Sequence, residues 1–98
     1  MKYFHRTSVS PDAVIARAAA YFGARLQPTE EGARRRAWSG TLGTASVTAQ
    51  AEGGHYTLVT VETNQPGESE LDGLAKRFLG TVHTLARPVT APRGLLSR

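Results

Sequence analysis

The stretch TASVTAQAEGGHYTLVTVET, residues 44–63, decides the fold. Its first half alternates, with Ala45, Val47, Ala49 and Ala51 on one side and Thr44, Ser46, Thr48 and Gln50 on the other. A period of two is that of a β-strand, and an apolar set confined to one side means one covered face and one wet face. Gly53-Gly54 then supplies a two-residue turn, because the tight hairpin turns require positive φ at their central positions. His55 to Thr63, with Tyr56, Leu58, Val59 and Val61, is the most β-prone segment of the chain. An antiparallel hairpin with one apolar face needs a second layer to cover it.

The cover is written on either side. Glu68 to Ala86 places Leu71, Leu74, Ala75, Phe78, Val82, Leu85 and Ala86 on one stripe roughly 120° wide at helical spacing. Glu68, Glu70 and Asp72 crowd its start, where the helix dipole favours anions, and Arg87-Pro88 stops it. Near the beginning, Ser10-Pro11-Asp12 is a helix start: serine caps, proline fits the first helical position and aspartate meets the dipole. Val14, Ile15, Ala18, Ala19, Tyr21 and Phe22 recur three and four apart, and Gly23 ends that helix.

Three more strands complete the pattern. Lys2 to Ser8 is aromatic and β-favouring, Arg25 to Thr29 is short, and Arg34 to Ser39 carries Trp38 as its one large apolar residue. Glycine turns join the later ones, and Asn64-Gln65-Pro66-Gly67 is a loop. The predicted order is β-α-β-β-β-β-α. It predicts an α+β two-layer sandwich, a mainly antiparallel five-stranded sheet against two helices, the C-terminal one longest. The last four strands should pack in sequence order, with the first strand beside the last.

Composition bounds the rest. A chain of 98 residues makes one domain, expected over 1–87, followed by a flexible basic tail over 88–98 that has prolines and no periodicity. Up to residue 86 nine basic residues face eight acidic ones, and Arg87, Arg93 and Arg98 add the rest of the net +4. The domain is thus close to neutral, which argues against nucleic acid as a partner. There is no cysteine, so disulfides, thiolate metal sites and a cysteine nucleophile are excluded. The opening residues hold no continuous apolar run and no stretch approaches the roughly 20 apolar residues that span a bilayer. A soluble cytoplasmic protein with no membrane partner and no signal peptide is expected.

With Ser-Pro-Asp-Ala-Val-Ile (10–15) opening one helix, glycine-turned strands between, and Leu-x-x-Leu-Ala-Lys-Arg-Phe-Leu (71–79) in the other, residues 3–86 resemble a reduced START-like domain. Polyketide cyclase and Bet v 1-like proteins belong to that superfamily. The resemblance implies a curled sheet gripping a long C-terminal helix, with a ligand held between them. The strand order also resembles, more weakly, one half of the TATA-binding-protein fold, whose members use the uncovered sheet face for nucleic acid or for pairing.

Several residues are candidates for chemistry. His5, His55 and His83 have no metal-ligand spacing, although His5 and His55 would approach one another if the outer strands pair; a structural role is preferred, and no metal or catalytic residue is expected. Arg34, Arg35 and Arg36 alternate on a strand, so Arg34 and Arg36 could hold an anion together. The competing explanations are a charged edge strand and local ion pairs with Glu30 and Glu31. Gly73 and Gly80 lie on the outer face of the last helix, where a second copy could approach closely. Glycine-rich phosphate loops and nucleophile elbows are absent, and no cofactor is expected.

These features predict a non-enzymatic binding domain. It would hold a small apolar or amphipathic ligand between sheet and C-terminal helix, lined by Trp38, Tyr56, Leu58, Phe78 and Val82, or pair with a protein partner, including a second copy, through the sheet. The alternative from another class is a nucleic-acid-binding module using Arg34 to Arg36 and the basic tail.

Overall fold

The computed structural model describes residues 1–86; the expected tail over 88–98 lies outside them. In chain order the elements are β1 (Lys2–Thr7), α1 (Pro11–Gly23), β2 (Gln27–Glu31), β3 (Arg35–Gly40), β4 (Gly43–Glu52), β5 (Tyr56–Thr63) and α2 (Glu70–Ala86). The fold is α+β, and α2, at 17 residues, is the longer helix. No helix among the described residues is long and apolar enough to cross a membrane.

Local chemistry sets most boundaries. The Ser10 side chain accepts the Ala13 N–H at 3.2 Å, so α1 starts where its cap and proline direct. At its other end the N–H groups of Arg25 and Leu26 both donate to the Phe22 carbonyl. That closing turn keeps the chain from extending until Gln27, two residues later than the sequence pattern predicts. α2 begins at Glu70 rather than Glu68, because Glu68 adopts a left-handed φ of 69° and Ser69 takes the cap, accepting the Asp72 N–H at 3.0 Å. The β4–β5 loop holds three residues, Gly53, Gly54 and His55, with Glu52 opposite Tyr56. Both glycines have the positive φ the turn demands, and His55 is the extra residue.

The sheet is antiparallel throughout, in the order β1-β5-β4-β3-β2, with the first strand beside the last as the pattern predicts. β3 is therefore not an edge strand. The edge beyond it is β2, which carries Pro28, Glu30, Glu31 and an irregularity between Pro28 and Glu30, all features that discourage further pairing.

Both helices lie on one face of the sheet, α1 over β3 and β4, α2 over β5 and β1. Between the layers Ala45, Val47 and Ala49 of β4 and Val59 and Val61 of β5 are buried. Ala51 shares that side but is exposed, since it lies near the strand's end. Phe22, Trp38 and Phe78 form an aromatic centre, with ring centroids 5.0 Å apart for Phe22 and Trp38 and 5.3 Å for Phe22 and Phe78. Leu85 falls outside the buried stripe, 43% exposed in the last turn of α2.

Candidate functional site

The helices leave the other face of the sheet uncovered, and the strand registers lay it out as a grid. One row crosses all five strands: Glu30, Ala37, Ser46, Glu62 and Lys2. The next row holds Arg35, Thr48, Thr60 and Phe4. Beyond it come Gln50, Leu58 and Arg6, then Glu52 and Tyr56. The central strand, β4, contributes only small or neutral polar side chains to the middle of this face: Thr44, Ser46, Thr48 and Gln50. A shallow hollow of about 310 Å³ opens there, with Arg35, Ala37, Ser46, Glu62 and Asn64 on its wall.

Charge on the face is balanced. Lys2, Arg6 and Arg35 stand against Glu30, Glu52 and Glu62, and two pairs are already joined, Arg6 to Glu52 at 2.8 Å and Arg35 to Glu30 at 3.2 Å. Phe4 is 63% exposed and Tyr56 58% exposed; Leu58 is half-buried diagonally across from Phe4. Large apolar side chains left in water on a sheet face mark a surface that gains by being covered.

The expected ligand-lining set is divided by the sheet. Trp38, Phe78 and Val82 lie between sheet and helices, at 2%, 0% and 0% exposure, packed into the core. Tyr56 and Leu58 point to the opposite, uncovered side, so the five residues do not line one space. The cause is the phase of β5: Thr57, Val59, Val61 and Thr63 take its inward side. Leu58-Val59 puts apolar residues on both sides of the strand, and the composition of β5 alone does not say which side faces in.

Arg34 lies just before β3 and Arg35 and Arg36 on it, and the three do not converge on an anion. Arg34 bonds Asp12 of α1, Arg35 bonds Glu30 and the Thr48 hydroxyl on the uncovered face, and Arg36 donates to the Gly32 carbonyl with Glu31 at 3.9 Å. Arg34 and Arg36 do share a side opposite to Arg35, but each guanidinium has its own carboxylate. His5 does not meet His55: it lies opposite Val59, and its ring is 6.2 Å from that of His83 on α2, edge to face. Among the described residues no cluster of three or more His, Cys, Asp or Glu side chains is placed to hold a metal. Gly73 is covered by the Arg77 guanidinium, which a Cβ there would touch at 3.4 Å, whereas Gly80 faces open space. The two glycines thus do not form one smooth helix face.

One charged centre was not foreseen. Asp72 is fully buried where α2 meets β1; its carboxylate accepts from the Tyr3 hydroxyl, from the Glu68 N–H at 3.0 Å and from Lys76 Nζ at 3.0 Å. The Tyr3 hydrogen bond, then the Glu68 N–H, hold its carboxyl down at about 2 against the opposing effect of burial. Asp72 in turn raises the Tyr3 phenol and the Lys76 ammonium. With its carboxylate ionised and held by these three donors, the cluster ties β1 to the start of α2. The sequence signal was Ser69-x-x-Asp72, the spacing of a capping box.

Compared with known protein-family models the chain matches none, and no curated protein is significantly similar to it.

Proposed function

We propose that the domain is a protein-interaction module that pairs with a second copy of itself through the uncovered sheet face. The observation that carries this is the layout of charge on the grid. Lys2 and Glu30 end the same row, on the two outer strands, with the small side chains of β4 midway between them. A two-fold axis running along β4 would place β1 of one copy over β2 of the other. Lys2 would then face Glu30 twice over, and Ser46 would face Ser46, where nothing bulky keeps the sheets apart. Aligned face-to-face packing of two sheets is a common arrangement, with the layers about 10 Å apart.

The area suits a modest dimer. Five strands about 4.8 Å apart and strands of five to ten residues give a flat footprint on the order of 600 Å², close to the roughly 800 Å² per partner of a standard interface once side chains are counted. Phe4, Tyr56 and Leu58 supply the apolar part.

The other readings find less support. A ligand held between sheet and α2, as the START-like resemblance implies, would have to displace Trp38, Phe78 or Val82 from a packed core. A nucleic-acid surface needs uncompensated cations, and those on this face are matched by carboxylates.

Sedimentation velocity over a range of protein concentrations tests the proposal. The expected result is a monomer of 10.5 kDa in equilibrium with a species of twice that mass. Lys2→Glu and Glu30→Lys should each weaken the dimer, and the two together should restore it. A chain that stays monomeric into the hundreds of micromolar, or a double variant no better than the singles, would end the proposal.

A further inference from the structure

On the opposite side of the molecule from the uncovered sheet face, the outer surfaces of the helices enclose a groove of about 500 Å³. Tyr21 and Phe78, with ring centroids 5.7 Å apart, join the helices beneath. Ala20, Tyr21 and Leu74 give the groove apolar walls, and three arginines line it: Arg17 from α1, Arg25 from the turn after α1, and Arg77 from α2.

The charge pattern sets this groove apart. Of the seven arginines in residues 1–86, Arg6, Arg25, Arg34, Arg35 and Arg36 each have a carboxylate within ion-pair distance. Arg17 and Arg77 make no ion pair among the described residues, and both line this one groove. Arg25 is answered by Glu70 at 2.7 Å. The groove is therefore lined by two arginines without an ion pair, whereas the other arginines among the described residues are each neutralised. Gathering like charges without a counterion costs stability, and an anionic ligand would remove that cost.

We infer that the groove binds a small molecule carrying a phosphate monoester on an apolar body. A phosphate monoester carries a charge of about −1.5 to −2 at neutral pH, which matches two free guanidinium groups, whereas a carboxylate would answer only one. Guanidinium forks present paired donors to phosphate oxygens. The walls of Ala20, Tyr21 and Leu74 suit a flat or short apolar body beside the phosphate. The volume lies within the range of small-molecule sites.

The test is a titration of the full chain with phenyl phosphate, inorganic phosphate and benzoate at low salt, followed by amide chemical shifts. Phenyl phosphate should saturate below about 10 mM, with the largest shifts in Ala20, Tyr21 and Leu74, and bind about tenfold tighter than inorganic phosphate or benzoate. Arg17→Gln with Arg77→Gln should weaken phenyl phosphate at least about tenfold. Both positions are at the helix surface, and a thermal melt of the double variant checks that it folds. Arg35→Gln, across the sheet, should leave the affinity within about twofold. Non-saturating shifts, benzoate binding as tightly as phenyl phosphate, or equal weakening by Arg35→Gln would overturn the assignment.

Discussion

The hydroxyl of Tyr3 donates to a carboxylate oxygen of Asp72, 69 residues away, and so fastens the first strand to the first turn of the last helix. The Asp72 carboxyl is held at about 2, below the ordinary carboxylate value near 3.9. A depressed carboxyl contributes stability that is fully present above its unfolded value and is lost as pH falls through its folded value. Stability should therefore decline between about pH 4 and pH 2 through this group. Asp72→Asn should lower the melting temperature at pH 7, and its deficit relative to the parent should shrink across that window. A deficit that stays constant down to pH 2 would place the acid sensitivity elsewhere. Tyr3→Phe, which removes one donor, should cost less than Asp72→Ala, which leaves the Glu68 N–H and Lys76 without their acceptor.

Phe78 and Tyr56 separate folding from association. Phe78 is 0% exposed at the aromatic centre, and truncating a buried phenylalanine costs about 3–5 kcal/mol. A domain this small has a total of about 5–10 kcal/mol, so Phe78→Ala should be largely unfolded or close to it. Tyr56 is 58% exposed, and Tyr56→Ser should change monomer stability by no more than about 0.5 kcal/mol while weakening the dimer. Urea unfolding of dilute protein and sedimentation at high concentration read the two effects apart. Equal loss of stability in both variants would mean that Tyr56 belongs to the core.

Gly43 opens β4 with φ at 128°, a conformation that side-chain-bearing residues rarely adopt. A Cβ there would lie 2.5 Å from Asn64 Oδ1, the atom that accepts the Thr44 N–H at 2.9 Å. Gly43→Ala should cost about 1–3 kcal/mol through strain, with loss of that bond added. Gly23→Ala is the control: nothing lies within 4 Å of a Cβ there, and the change should be neutral or stabilising by up to about 1 kcal/mol. A thermal melt of each checks the contrast.

The fold was legible because period decides it. Ala45, Val47 and Ala49 keep strand phase, Leu71, Leu74, Phe78 and Val82 keep helix phase, and glycine-punctuated short connections leave few orders for five antiparallel strands. What local pattern leaves open is which way β5 faces, since Leu58 and Val59 satisfy either phase until the helices choose a side. Arg17, Arg25 and Arg77 sit on separate elements with no spacing in common, and only the packing of α1 beside α2 brings them to one groove. The adjacent Arg34, Arg35 and Arg36 attract notice as a run. Their partners, Asp12, Glu30 and Glu31, become visible only once the strand direction and the position of α1 are known.

The nucleic-acid alternative turns on those same partners. A protein that binds through its arginines releases a counterion from each phosphate it neutralises, so log affinity falls with log salt at about −0.9 per contact. Six contacts, from Arg34 to Arg36 and the three arginines beyond residue 86, would give a slope near −5. To reach phosphates, however, Arg34 must leave Asp12, Arg35 must leave Glu30, and Arg36 must leave Glu31 and the Gly32 carbonyl. Each exchange trades one ion pair for another and gains little. Titration with duplex DNA should therefore show weak, non-specific binding that is gone by 150 mM salt, and changing Arg34, Arg35 and Arg36 together to glutamine should leave it nearly as it was. Micromolar binding at 150 mM salt that disappears in the triple variant would make the sheet a nucleic-acid surface and displace self-pairing as its role.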